Sequence, residues 1–174
     1  MKTKPSQLNR ASSKMKIVVL MLAVAFCAGC ISRQAKPTTW PQEREVHDAL
    51  DIEGTFVDMD GTFRSIPWPS PTRDTSVRVI SRPSTILLEF VLDSGAKENV
   101  EMRFKIESGW LIAKHGRVVN RDGVLAHEAT TFYIRTDITG ALIVRHAMRT
   151  IGMMFFVPVV GTGEYWSRLP KKEP

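Results

Sequence analysis

The sequence predicts an all-β protein, an antiparallel meander forming a small barrel, with one short N-terminal helix. Residues 100–106, VEMRFKI, alternate apolar and charged side chains, which is typical of a strand with one buried and one solvated face. Short runs rich in β-forming residues are separated by tight-turn sequences and not by helical segments. Roughly seven to nine such runs would be enough to close a small barrel and remove the unpaired edges of an open sheet.

The N-terminus has the order of a secretory signal. Residues 1–16 carry five basic and no acidic side chains, and the apolar run of residues 17–26 then ends in Cys27-Ala28-Gly29-Cys30. This run is about half the roughly 20 residues that a spanning helix needs. The CAGC sequence resembles the lipobox of bacterial lipoproteins. That resemblance implies that Cys30 becomes the first residue after cleavage and carries lipid, including palmitate, with plain secretion or a short retained anchor as alternatives.

The lipoprotein resemblance also indicates a location. Ile31 follows the cysteine, which in that family favours the outer membrane, so we expect the protein on the periplasmic face of this membrane in the cell envelope. Both cysteines of the chain lie in the CAGC sequence, so the folded part is expected to contain no disulfide. The predicted organisation is a signal peptide (1–29), the lipidated cysteine and a flexible polar tether (30–39), a short helix (40–50), an antiparallel β domain (51–169) and a polar tail (170–174).

The charge distribution argues against nucleic-acid binding. The whole chain has 24 basic and 18 acidic residues, but five of the basic residues and none of the acidic ones lie in residues 1–29. The rest of the chain is therefore close to neutral, without the basic excess of a nucleic-acid-binding domain.

The helix is predicted over residues 40–50, WPQEREVHDAL. Pro41 suits the first turn of a helix, and Val46 and Leu50 are four positions apart on one face. Strands follow it, with β-forming runs at residues 85–92, 100–106, 130–135 and 141–148. Predicted turns separate the runs, at Asp60-Gly61, Asp93-Ser94-Gly95, Glu107-Ser108-Gly109, residues 120–123 and residues 137–140.

Two segments depart from this pattern. Residues 65–83 contain four prolines and are predicted to be an irregular crossover, a lid or a barrel mouth. Residues 151–160, IGMMFFVPVV, are predicted to be a closing strand buried on one or both faces, with a partner-binding or membrane-touching patch as the alternative. Gly54-Thr55-Phe56 in the first strand, after a short helix, resembles the Gly-x-Trp region of lipocalins, which implies a barrel able to hold a small ligand.

The sequence FVDMDGTF at residues 56–63 resembles the first motif of haloacid dehalogenase phosphatases. That resemblance implies that Asp58 is a nucleophile and Asp60 an acid and base beside magnesium. The sequence lacks a later acidic pair in a suitable context and the crossover helices of a parallel sheet. We therefore interpret Asp60-Gly61 as a hairpin turn and predict that the protein is not an enzyme.

No metal or cofactor site is predicted. The four histidines, at 47, 115, 127 and 146, lack the spacing of metal ligand sets. Trp110 and Trp166 are expected at barrel ends or in the core, or as the lining of a ligand site. Two functions remain: a barrel that binds a small apolar or amphipathic molecule, or a non-enzymatic envelope structural or assembly protein that acts through its surface.

Overall fold

The structure, a computed structural model, describes residues 31–57, 74–92, 95–121, 124–154 and 157–172. The all-β prediction is confirmed over this part of the chain, which forms one mixed sheet of ten strands. The strands are β1 (Ile31–Arg33), β2 (Glu43–Arg44), β3 (Gly54–Phe56), β4 (Asp74–Ser81), β5 (Thr85–Leu92), β6 (Lys97–Glu107), β7 (Trp110–Arg121), β8 (Val124–Asp137), β9 (Leu142–Met154) and β10 (Val157–Leu169).

The meander runs from β3 to β10, and each strand pairs antiparallel with the next. Tight turns make this order possible. Ser108 and Gly109 have positive φ angles of 52° and 70° between β6 and β7, and Gly140 has φ 82° between β8 and β9. Glycine adopts these angles at little cost, so the predicted turns at residues 107–109 and 137–140 are confirmed.

The predicted closed barrel is not confirmed. The sheet order begins at β1, which pairs in parallel with β10, and ends at β3, so the ten strands do not form a closed ring. A single bridge between Phe56 and Lys171 links β3 to the segment after β10. The amide N–H of Val57 donates to the carbonyl of Pro170, and that of Lys172 to the carbonyl of Thr55. A three-residue strand is too short to continue this pairing into a full ladder.

The predicted helix over residues 40–50 is wrong. Within it, β2 pairs with the end of β8, the N–H of Val46 donates to the carbonyl of Gly109, and only a 3₁₀ helix (Ala49–Ile52) forms. The helical spacing was misleading because Val46, Ala49 and Ile52 are buried in the core of the sheet while Leu50 is exposed. Burial against the sheet thus overrides the weak local preference for an α-helix.

The 3₁₀ helix has a complete N-terminal capping box. The carboxylate of Asp48 accepts from the N–H of Leu50, and that of Asp51 accepts from the N–H groups of His47 and Asp48. The backbone N–H donors of Asp48 and His47 lower the pKa of Asp51. Two carboxylates thus satisfy three backbone N–H groups in one turn.

We expect Asp48→Ala to reduce the free energy of unfolding by about 1 kcal/mol, because it removes the cap acceptor of this turn. The measurement is urea unfolding followed by tryptophan fluorescence. Asp48→Asn is the matched control, since its amide oxygen can still accept from Leu50. Equal losses in both variants would contradict a role for the cap.

Two further segments differ from their predictions. The irregular element predicted for residues 65–83 contains β4 at residues 74–81. Three of its four prolines lie outside the described residues, and the fourth, Pro83, follows β4. Residues 151–160 are not one buried strand. They divide between the end of β9 and the start of β10, and Ile151, Met153 and Val160 are exposed.

The predicted tether, residues 30–39, follows the edge of the sheet from Ile31 onward. Ser32 lies opposite Gly163 in the parallel pairing, and the N–H of Gln34 donates to the carbonyl of Glu164. Lys36 forms an ion pair with Glu43, with 2.6 Å between its Nζ and the carboxylate. The chain immediately after Cys30 is thus in contact with the last strand.

The core is a single apolar cluster on one face of the sheet. Side chains from β3–β5 and from β7–β10 belong to the same cluster, so the two halves of the sheet pack over each other. Phe56, Phe90 and Phe132 are its largest fully buried side chains. This packing leaves the opposite face of β7–β10 turned to solvent.

Candidate functional site

The outward face of β7 differs in chemistry from its inward face. Leu111 and Ala113 point into the core, so the alternation of the strand turns Trp110, Ile112 and Lys114 outward. The antiparallel register places outward residues of the next strands beside them. The solvent face of β7–β10 therefore carries large aromatic and cationic side chains.

One cross-strand row on this face joins four residues. Ile112 lies opposite Tyr133, Tyr133 opposite Arg145, and Arg145 opposite Trp166. Trp110 approaches the row from the start of β7, with its ring 6.3 Å from Tyr133 and 6.1 Å from Trp166, both in edge-to-face contacts. We call Trp110, Ile112, Tyr133, Arg145 and Trp166 the aromatic–arginine site.

Arg145 is at the centre of this site. Its guanidinium carbon is 4.0 Å from the ring centre of Tyr133, 5.9 Å from that of Trp110 and 5.7 Å from that of Trp166. These distances allow cation–π attraction, strongest for Tyr133. The aromatic rings hold the guanidinium in place and remove part of its water shell.

The hydrogen bonds of Arg145 are incomplete within the described residues. Its Nε is buried and has no hydrogen-bond partner within the described residues, and its closest carboxylate contact, with Glu164, is 3.8 Å long. The Arg145 side chain is 31% exposed, so its terminal nitrogens, and not the buried Nε, are the donors that an arriving acceptor could reach.

Arg135, by contrast, is fully engaged in supporting the site. Its guanidinium lies 4.1 Å above the ring of Trp110. Its nitrogens donate to the carbonyls of Gly109 and Ser108, at 2.8 and 2.5 Å, and to the carboxylate of Glu43 at 3.4 Å. Arg135 therefore fixes the β6–β7 turn and the orientation of Trp110.

An open groove of about 390 Å³ lies over Trp110, Ile112, Tyr133 and Arg145. Lys105 and Lys114 also line it, and Lys105 is paired with Glu107 at its rim. A groove of similar volume beside β3 and β4 has one cation, Arg78, and no aromatic side chain among its lining residues. The first groove is the one suited to a ligand with an apolar body and an anionic group.

The residues singled out by the sequence do not meet here, apart from the two tryptophans. Cys30, Asp58 and Asp60 lie outside the described residues, so the lipidation and hairpin predictions stay predictions. His47 and His127 are exposed on separate elements. His146 is buried beside Tyr165, and burial, together with Arg117, lowers the pKa of His115.

Over the ranges that the structure describes, no group of three or more histidine, cysteine, aspartate or glutamate residues could hold a metal ion. In the same ranges no helix has the length and apolar character that crossing a membrane requires.

Sequence reasoning missed Tyr133, Arg135 and Arg145. The signal was present, because Thr131-x-Tyr133-x-Arg135 continues the alternation of a strand whose inward residues are Phe132 and Ile134. The register with β9 and β7 was not available from the sequence, since cross-strand neighbours depend on where each turn is placed. No family model, curated protein or solved structure matches this chain.

Proposed function

We propose that this protein is a lipid-anchored protein of the bacterial envelope that works through its surface, using the aromatic–arginine site to bind an acidic segment of a protein partner. Lipidation at Cys30 and location at the outer membrane come from the N-terminal sequence. The observation that carries the binding role is the central position of Arg145, which is half-buried among three aromatic rings and has its closest carboxylate contact at 3.8 Å.

The composition of the site supports a protein partner. Tryptophan, tyrosine and arginine are the side chains that most often dominate the energy of protein–protein interfaces. Trp110, Tyr133, Arg145 and Trp166 lie together on one solvent face and are each partly exposed. Rigid aromatic side chains lose little conformational entropy when a partner covers them.

The charges support an acidic partner. Arg145, Lys105 and Lys114 line the groove, and Glu107 is the one acidic residue among the described lining residues. A carboxylate entering the groove could accept from the terminal guanidinium nitrogens of Arg145 while its carbon chain contacts Tyr133 and Ile112. This contact would be partly shielded from water, and therefore stronger than an exposed ion pair.

The alternative function, an apolar molecule held inside the sheet, has less support. The described interior is occupied by the packed side chains of the core cluster, including Phe90 and Phe132. The grooves described above open on the surface. A surface role is therefore favoured over an internal ligand.

Site-specific crosslinking in living cells tests the proposal. A photoreactive benzoylphenylalanine replaces Ile112 in the full chain, and we expect irradiation to give a defined adduct with a protein partner. Adding Arg145→Gln to the same chain should reduce the adduct about tenfold, because glutamine keeps much of the length but loses the charge and the guanidinium donors.

Two controls make the result decisive. The photoreactive residue at Arg78, exposed on the other half of the sheet, should not give the same adduct. Urea unfolding of Arg145→Gln should resemble that of the parent chain. An adduct that is insensitive to Arg145→Gln, or that also forms from position 78, would contradict the proposed site.

A further inference from the structure

One end of the sheet exposes an unusual number of large apolar side chains. Where β7–β8 and β9–β10 turn back, Val118 is 71% and Leu125 57% exposed, and Ile31 at the start of β1 is 72% exposed. Exposed apolar groups that stand alone are common on proteins, but a contiguous group marks a contact surface. We call this group the apolar end, and it comprises Ile31, Val118, Leu125, Ile151, Met153 and Val160.

The register places these residues on one face. Leu125 lies opposite Met153, and Ile151 lies opposite Val160, all at positions that alternate with inward ones such as Ala126 and Gly152. Val118 lies opposite His127, which is itself opposite Ile151. The apolar end thus lies on the outward face, with His127 and Thr162 among its apolar residues, and this is the same face that carries the aromatic–arginine site.

Cations border the patch. Arg149 lies opposite Thr162 one step from the apolar residues, and Lys114 and Arg33 follow in the next row, all three exposed. Glu164 is in that same row, and between it and the turns the described outward positions of β7–β10 carry no acidic side chain. The border therefore favours an anionic surface.

The N-terminal segment reaches the patch at one defined point. Ile31 belongs to the apolar end, lies opposite Thr162 in β10, and is joined by a peptide bond to Cys30. Ile31 is therefore the described residue that is nearest along the chain to the one proposed to carry the lipid. Chain position, apolar exposure and bordering charge therefore agree on the same end of the sheet.

We propose that the apolar end inserts into the interface of an anionic phospholipid bilayer. The protein is then attached to the membrane at two points, the lipid anchor and the end of the sheet. An apolar surface bordered by arginine and lysine is the chemistry of interfacial membrane contact, with the apolar groups among the acyl chains and the cations at the phosphates. The proposal rests on the proposed function for its choice of a membrane as partner.

This contact sets the position of the aromatic–arginine site. Arg145 precedes Ile151 by six residues along β9, and at roughly 3.3 Å per residue it is held about 20 Å from the apolar end. A protein on a flexible tether would present the site at variable heights and orientations. A sheet fixed at its end presents it at one height, facing a partner near the same membrane.

Lipid-borne quenching tests the contact in the full chain produced with its own N-terminus. Met153→Cys and, as control, Lys171→Cys at the far end of the sheet are labelled with a polarity-sensitive fluorophore. The proteins are reconstituted in vesicles of phosphatidylethanolamine and phosphatidylglycerol with a quencher on the acyl chain. We expect the label at 153 to be quenched about twofold or more and the label at 171 to be unaffected.

A second variant connects the signal to the patch. With the label at 153, Leu125→Glu and Ile151→Glu together should abolish quenching, because two carboxylates oppose insertion at an anionic surface. Both side chains are exposed, so folding should persist. Equal and weak quenching at 153 and 171 would overturn the proposal, as would self-association through the patch without lipid.

Intact mass separates this inference from the proposed lipidation. If Cys30 carries no acyl groups, the anchor proposal fails, and the unacylated chain, with Cys27→Ser and Cys30→Ser so that only position 153 is labelled, is mixed with the same vesicles. Insertion of the apolar end then still predicts saturable quenching at 153. Its absence under those conditions would overturn the inference by itself.

Discussion

Replacing Asp137 by alanine is expected to cost about 3 kcal/mol of the free energy of unfolding, one of the two largest single effects that we predict. The Asp137 side chain is 0% exposed, and its carboxylate accepts from the N–H groups of Thr139 and Ala141 at 2.8 and 3.0 Å. It also accepts from the hydroxyl of Thr139 and from Nε of Arg168 at 2.8 Å. Alanine leaves these donors without an acceptor at the β8–β9 turn.

The loss should depend on pH with a defined sign. Burial raises the pKa of Asp137, but the hydrogen bonds from Thr139, Arg168 and Ala141 outweigh it, and the net pKa is lowered from its ordinary value of 3.8. A lowered pKa in the folded state contributes stability that is complete above 3.8 and is lost as the pH falls through the folded value. Stability from this carboxylate thus disappears in acid.

Asp137→Asn isolates the charge, since its amide oxygen can still accept from the turn but its nitrogen opposes Arg168. We expect a loss of about 2 kcal/mol near neutral pH that shrinks below pH 3.8. The measurement is urea unfolding of parent and variant over this pH range. A difference that stays constant to the lowest pH would contradict the assigned role.

Gly152→Ala is expected to cost about 2–3 kcal/mol, because the new methyl group meets backbone and not a movable side chain. A Cβ at Gly152 would lie 2.4 Å from the carbonyl oxygen of Leu125 and 2.5 Å from Cα of Ala126. These atoms belong to the neighbouring strand β8. Relief therefore requires β8 and β9 to separate at the end of the hairpin that is farthest from their shared turn.

Gly116→Ala is the matched control for this prediction. Its Cβ would have its nearest neighbour at 3.5 Å, an ordinary contact with His127, so we expect a change within about 0.5 kcal/mol. Urea unfolding measures both variants, and amide hydrogen exchange locates the effect. Equal stability of the two variants would show that β8 accommodates the methyl group.

The sequence predicted the parts of the fold that depend on local pattern. Residues 85–92 form a strand with the predicted bounds, and the alternation at residues 100–106 lies within β6, because period-two burial and tight turns are local properties. The strands β1 and β2 were missed since their few residues gain order from distant partners in β10 and β8. The β-strand propensity of two or three residues is not sufficient to predict such strands.

The candidate site was predictable only in part. Trp110 and Trp166 were recognised as possible lining residues, whereas Arg145 became informative only once the register placed it between Tyr133 and Trp166. The apolar run of residues 151–160 was predicted to be one buried closing strand, whereas Ile151, Met153 and Val160 are exposed. Its exposure could not be deduced, because a hairpin end and a buried strand have the same apolar composition.

The parallel pairing of β1 with β10 has a consequence for the order of biosynthesis. Strands β4 to β10 can each join the preceding strand as they emerge, but Ile31–Arg33 find their partner only after Thr162–Glu164 have been made. The first described residues therefore become protected last. A chain that stops before β10 would keep them accessible to proteases, so that protection of the N-terminal segment marks a complete molecule.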